Sequence, residues 1–295
     1  MADKTSSYAG QRRFAMLMGI PALIVLLILV APILFYILKN SFYDITLTVP
    51  RPPEFVGGAN YAAVFKDTRF LNALKNTGIL LVLGISIQSI LGLIIALLLN
   101  RDFRFKRLAI TLLAIPIMIT PVVAGFNWRM IYNEHFGPLN FILNALHISE
   151  GISWTADPSV ALYSILIVDI WQWTPFVALI LLAGLQSIPK QVYEASNVDG
   201  ATPVQTFFRV TLPLLKPMFI LVILFRTIWI FKIFDPVYIL TGGGPGTSTE
   251  TLSVYTYVEG FRYWRIGYTS ALAVVQLMMM TVVASVFVRL MKRKG

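Results

Sequence analysis

Six apolar runs, each long enough to cross a bilayer, constrain this chain more than any other feature. They cover about residues 14–38, 77–99, 108–131, 160–182, 218–240 and 268–290. An α-helix rises ~1.5 Å per residue, so about 20 apolar residues cross the hydrocarbon core. The first run is longer than the roughly 7–15-residue core of a secretory signal and lacks a small-residue cleavage site, so it reads as a span. Composition agrees: 57% of the residues are hydrophobic and 13% charged, against about 25% charged in soluble domains. The fold class is an all-α polytopic membrane protein with six transmembrane helices. Residues 14–295 form a single transmembrane domain, and the polar residues 1–13 are expected to be a disordered cytoplasmic tail. No internal repeat and no separate soluble domain stands out.

Lys and Arg set the orientation, because cytoplasmic loops carry the excess. Lys4, Arg12 and Arg13, then Arg101, Arg104, Lys106 and Arg107, then Lys190, Arg209 and Lys216, and finally Arg289, Lys292, Arg293 and Lys294 fall on one side. The opposite side holds fewer, among them Lys39, Arg51, Arg69 and Arg129, diluted by acids such as Asp44, Glu134 and Glu250. Both termini and the 187–217 loop are therefore cytoplasmic. Basic loops of this kind account for the net charge of +10, and no nucleic-acid partner is implied. The chain has no Cys, which excludes disulfides, thiolate metal sites and Cys nucleophiles. His135 and His147, twelve residues apart in one loop, form no metal motif. No metal site and no catalytic residue is expected.

The loop from Glu194 to Pro217 looks built for a soluble partner. Pro189 opens a short helix that runs through Val192, Tyr193, Glu194, Ala195 and Val198. Asp199 is followed by Gly200, which takes the left-handed conformation that stops a helix. Thr202 is an N-cap, Pro203 suits the first helical position and Gln205 completes a capping box. Val204, Phe207 and Phe208 give the new helix an apolar face. Pro213 and Pro217 are expected to end it and turn the chain toward the next apolar run.

Inside the membrane, Asp169, Gln172, Trp173 and Phe176 share one face of the fourth run. Asp169 lies roughly 14 Å deep, where an ionisable group costs about 2.5–3.5 kcal/mol and by default faces a cavity or a partner. In the fifth run Arg226, Trp229 and Ile233 align, and Lys232 and Asp235 are three residues apart. Either Arg226 or Lys232 is within reach of Asp169 as an ion-pair partner. Aromatic rings beside fixed donors and acceptors are what a sugar pathway needs, because a sugar stacks its C–H face and hydrogen-bonds its hydroxyls. Helix packing is the rival reading for Asp169, Trp173 and Trp229. Gly84, Gln88 and Gly92 recur every four residues, which suits close helix contact with an interhelical hydrogen bond. Pro116 and Pro121 predict a bend in the third run. The outer loop TGGGPGTSTETL, 241–252, lacks the GxxxxGK[ST] pattern of a phosphate loop.

Glu194, Ala195, Ser196, Asp199, Gly200, Leu212 and Pro213 match the spacing of the "EAA" coupling loop of bacterial ABC-importer permeases, with Ser196 in place of the usual third Ala. The run LFRTIWIFKIFDPVYILTGGGPGTSTETL, 224–252, is similar to a pattern in the permeases of maltose-type carbohydrate importers. The resemblance covers nearly the whole chain. It implies a subunit in the bacterial cytoplasmic (inner) membrane that forms half of a pore. Its partners would be a second permease, two ATPase subunits, an extracytoplasmic solute-binding protein and membrane lipid. The 194–217 loop would dock on the ATPase and transmit its closure, and the solute would pass by alternating access. No cofactor is implied in this chain, since ATP and Mg would belong to the ATPase and no Walker lysine occurs here. The resemblance makes a carbohydrate, glycoside or polyol the solute. The pathway candidates are Asp169, Gln172, Trp173, Arg226, Trp229 and Lys232. Two rivals are a secondary sugar transporter working without ATPase subunits and a membrane-embedded glycosyltransferase. Missing repeat symmetry weighs against the first, and dispersed loop acids against the second.

Overall fold

A computed structural model describes residues 3–148 and 151–292. Among the described residues five helices are long and apolar enough to cross a membrane, or six if one bent pair counts as a single span. The chain divides into two compact units, one made of residues up to 66 with 259–275, the other of 67–258 with residues from 276 onward.

In the first unit α1 runs from Asp3 to Asn40. Residues 3–13 are thus the beginning of a helix and not the disordered tail that their polarity suggested. From Met18 onward the large apolar side chains of α1, among them Leu26, Ile28 and Phe35, are exposed, as lipid-facing residues are. A two-stranded antiparallel ribbon follows, β1 (Tyr43–Asp44) against β2 (Glu54–Phe55). The helix α2 (Ala59–Lys66) is tied back by Asn60, whose Nδ2 donates to the carbonyls of Ser41 and Tyr43 over 2.9 Å each.

The second unit is built around α3 (Thr68–Asn100) and α7 (Ala161–Ser187). Asp67 caps α3, accepting from the Arg69 N–H over 2.8 Å, so this helix begins well before the apolar run at 77. Gly92 lets the two helices touch: a Cβ there would lie 2.6 Å from Val177 Cγ1. Below this contact Ala96, Leu99, Val177, Leu181, Leu185, Leu215 and Val222 form one buried cluster. Burying side chains of this size contributes about 1.5–3 kcal/mol each where the alternative is water, and close packing replaces that drive where the alternative is lipid.

The third apolar run is broken. The helices α4 (Lys106–Met118) and α5 (Pro121–Ile131) meet at 94°. Pro121 has no N–H to continue a helix and pushes Thr120 into an extended conformation, φ −63° and ψ 144°. The expected bend is therefore a break, and 108–131 is not one straight crossing. A short helix, α6 (Pro138–Ala145), follows.

The coupling stretch also departs from expectation. The helix α8 spans Lys190–Val198 and α9 spans Pro203–Thr206. A π-helical turn, Phe207–Thr211, leads directly into α10, Leu212–Phe231. Pro213 and Pro217 do not end the helix as their chemistry suggested. Pro213 sits in the first turn of α10, just past the wide turn, and Pro217 lies within it. The extra residue of a π turn shifts the hydrogen-bond register, which accommodates the missing N–H and the bulk of a proline ring. The continuous helix here that is long and apolar enough to cross runs over Pro203–Phe231, whereas the apolar run in the sequence was 218–240. It stops at Lys232 because Pro236 cannot donate to the carbonyl four residues back. A six-residue helix, α11 (Asp235–Leu240), takes over.

The loop from Thr241 to Thr251 folds back on α3. Gly243 adopts φ +95°, which only glycine takes without strain. Arg69 grips the buried carboxylate of Glu250 with two parallel hydrogen bonds of 2.7 Å. Asn76 Nδ2 donates to the Glu250 carbonyl over 3.0 Å, and Asn72 Nδ2 to that of Thr247 over 2.7 Å. The helix α12 (Leu252–Tyr257), a second π turn (Val258–Arg262) and α13 (Ile266–Lys292) complete the chain. Gln276 Nε2, on α13, donates to the carbonyl of Leu252 over 3.1 Å.

Candidate functional site

Asp169, Gln172, Trp173, Arg226, Trp229 and Lys232 all line one cavity of about 190 Å³, together with Pro121, Ile233, Phe234, Asp235 and Pro236. The helix α7 supplies three of the six from one face, as the spacing Asp169, Gln172, Trp173 requires. The last turns of α10 supply Arg226 and Trp229, and the break after Phe231 puts Lys232 and Asp235 at the rim.

At its back lies a buried polar network. Arg226 Nη2 donates to Asp169 Oδ2 over 2.5 Å, and its Nε donates to Gln88 Oε1 over 2.8 Å. Gln88 Nε2 in turn donates to Asp169 Oδ2 over 2.8 Å and to the Asp169 carbonyl over 3.1 Å. Arg226 is 1% exposed and Gln88 fully buried. A charge taken this far from water must be paired and hydrogen-bonded. Between the two partners that spacing allowed for Asp169, the fold selects Arg226. Gln88, read from the sequence as a packing residue, does bridge the helices, and its two ends also complete the ion pair. The signal was present as a lone amide between Gly84 and Gly92. Gly84 packs beside the pair, and a Cβ there would make an ordinary contact of 3.5 Å with Asp169 Oδ2.

Two indole rings form the aromatic wall. Trp173 and Trp229 lie 4.3 Å apart between centroids, with Phe176 4.8 Å from Trp229. The Arg226 guanidinium is 5.3 Å from the Trp173 ring centre, within cation–π range. Gln172 is directed elsewhere: its Nε2 donates to the carbonyl of Ile119 over 2.8 Å, at the broken span. Lys232 and Asp235 differ from all of these. Neither makes a side-chain hydrogen bond or ion pair among the described residues, although both line the cavity. A larger cavity of about 570 Å³, walled by Ile119, Trp128, Phe136 and Trp171, has no charged residue in its lining and so nothing to orient an ionic group.

The coupling stretch takes the local conformation that its residues dictate. Gly200 has φ +73°. Thr202 Oγ1 accepts from the Gln205 N–H and Gln205 Oε1 accepts from the Thr202 N–H, a complete capping box. Ser196, buried, shares a 2.8 Å hydrogen bond with Thr206 and so pins α8 to α9. Glu194, Ala195, Asp199 and Gly200 are exposed. So are Val198, Val204 and Phe208, at 88%, 65% and 61%. The sequence placed Val198 on the short helix but not at its surface, because exposure of one apolar residue on a short helix is invisible there.

Membrane-crossing helices around a polar cavity with an aromatic wall are the build of a transport permease. The chain belongs to the family of binding-protein-dependent transport system inner membrane components, which matches residues 88–294. It is a multi-pass inner-membrane transport subunit and not an enzyme. Among its relatives, the sulfoquinovosyl glycerol transport system permease protein SmoG of Agrobacterium fabrum is 39% identical over 286 residues, 97% of this chain and 92% of that one. The trehalose/maltose transport system permease protein MalF of Thermococcus litoralis is 35% identical over 87% of this chain and 85% of its own. The trehalose transport system permease protein SugA of Mycobacterium tuberculosis is 31% identical over 98% and 92%. The fold is shared with a chain in the crystal structure of a bacterial ABC transporter that imports the acidic polysaccharide alginate, with a TM-score of 0.82 at 20% identity, covering 99% of this chain and 100% of that one.

Proposed function

We propose that this chain forms half of the pore of an ATP-driven importer for a sugar, glycoside or polyol. Its partners are a second permease of the same family, two ATPase subunits and an extracytoplasmic binding protein that delivers the solute. The solute passes by alternating access. The chain itself holds no cofactor, and ATP and Mg are bound by the ATPase. Glu194, Ala195, Ser196, Asp199 and Gly200 form the coupling surface, and Leu212 and Pro213 join it to α10. Both termini and this surface face the cytoplasm, and α4 with α5 counts as the third of six spans.

The observation that carries this reading is the exposed Glu194 carboxylate on a helix pair locked by its capping box and by the Ser196–Thr206 bond. A short helix pair that exposes Val198 on α8, Val204 on α9 and Phe208 on the π turn is suited to a groove on a soluble partner. The carbohydrate class is supported by the relatives that transport trehalose, maltose and a sulfoquinovosyl glycoside, and by the paired indoles in the cavity.

Copurification of the tagged chain with its genomic neighbours tests the assembly. The expected result is an ATPase recovered with the native chain and lost with Glu194→Lys, since breaking a buried pair costs about 3–5 kcal/mol. Recovery of the ATPase with the variant would overturn the role of Glu194. A chain that moved solute in vesicles without any ATPase would overturn the importer reading.

A further inference from the structure

Four charged side chains line the cavity: Asp169, Arg226, Lys232 and Asp235. The first two are spent on each other and on Gln88. The sequence left Arg226 and Lys232 as equal candidates for contact with a solute, and the network removes Arg226 from that role. The remaining two carry opposite charge, lie on the two sides of the break between α10 and α11, and have no partner among the described residues. They are not within ion-pair distance of each other.

We infer that Lys232 and Asp235 set the charge selectivity of the cavity, acting as a donor and an acceptor for hydroxyls of a solute without net charge. The inference rests on the sugar reading above. A lysine ammonium has three donors and no acceptor, and an ionised carboxylate only accepts. Held apart, they satisfy a hydroxyl-rich solute whose ring lies on Trp173 or Trp229. A carboxylate on the solute gains from Lys232 but meets Asp235 in the same small cavity, where like charges repel. Such interactions are several-fold stronger here than in bulk water. Removing either charge therefore shifts selectivity in opposite directions, a pattern that a merely structural role would not produce.

The test is isothermal titration of the permease–ATPase assembly in nanodiscs with methyl glucoside and with methyl glucuronide, its uronic-acid counterpart. The native assembly is expected to bind the neutral glycoside more tightly by about fivefold or more. Asp235→Asn should narrow or reverse this preference, and Lys232→Met should widen it. Both sugars binding with a ratio that neither variant moves would overturn the inference and leave the sugar cavity standing. Preference of the native assembly for the glucuronide, abolished by Lys232→Met alone, would also overturn it. If neither sugar binds, the sugar reading of the cavity fails first and takes the inference with it.

Discussion

The side-chain amide of Gln172 donates to the carbonyl of Ile119 over 2.8 Å, joining α7 to the point where the third apolar run breaks. Ile119 is the C-cap of α4, and its carbonyl has no following helical turn to bond, because Pro121 starts a new helix. Gln172→Leu should remove that bond and destabilise the chain by roughly 0.5–1.5 kcal/mol. A lowered thermal midpoint in detergent is the readout. An unchanged midpoint would mean that another donor replaces the amide.

The network of Gln88, Asp169 and Arg226 should respond in an all-or-none fashion. Asp169→Ala leaves a buried guanidinium uncompensated and is expected to cost about 3–5 kcal/mol. Replacing all three groups by apolar ones, Gln88→Leu with Asp169→Leu and Arg226→Met, should recover most of that loss, since no orphaned charge or amide then remains. Denaturation of single, double and triple variants in one detergent gives the comparison. Additive losses in the triple variant would contradict it.

Gly84 and Gly92 predict opposite outcomes for the same substitution. A Cβ at position 92 would meet Val177 Cγ1 at 2.6 Å and the Ala178 nitrogen at 3.1 Å, so Gly92→Ala must push α3 from α7, at about 1–3 kcal/mol. At position 84 the nearest atoms are 3.5 Å away, and Gly84→Ala should be neutral or gain up to ~1 kcal/mol of helix propensity. Thermal midpoints of the two variants decide the point.

The turn between α8 and α9 depends on two residues. Gly200, at φ +73°, should lose about 1–2 kcal/mol as Ala, and Thr202→Ala about 1 kcal/mol through the lost cap. Either change should speed hydrogen exchange of the Gln205 and Thr206 amides, which bond back to Thr202, and leave exchange within α7 unaltered. Equal protection in both variants would show that the turn is held by something other than its cap.

Local chemistry was legible in the sequence wherever it is settled within a few residues. The capping box at Thr202 and Gln205, the left-handed Gly200 and the shared face of Asp169, Gln172 and Trp173 all follow from short-range rules. What escaped depends on partners far along the chain. Hydropathy sees apolar length but not direction: Pro116 and Pro121 marked a bend in 108–131, but not that Thr120 and Pro121 turn it by 94°. Pro213 looked like a stop because the π turn before it cannot be read from residue types. The choice of Arg226 over Lys232 depended on Gln88, which arrives from α3, 138 residues from Arg226. Residues 3–13 misled for a different reason: polarity lowers burial, but it does not forbid helix.

The π turn at Phe207–Thr211 closes through a bond from the Leu212 N–H to the Phe207 carbonyl. It holds one residue more than an α-helical repeat, so α9 and α10 are out of phase by about 100° around their common axis. Deleting one residue from this turn would restore phase and swing the whole α8–α9 pair to a new azimuth, with every side chain and cap of that pair intact. The number of residues here, and not their kind, fixes the compass bearing of Glu194.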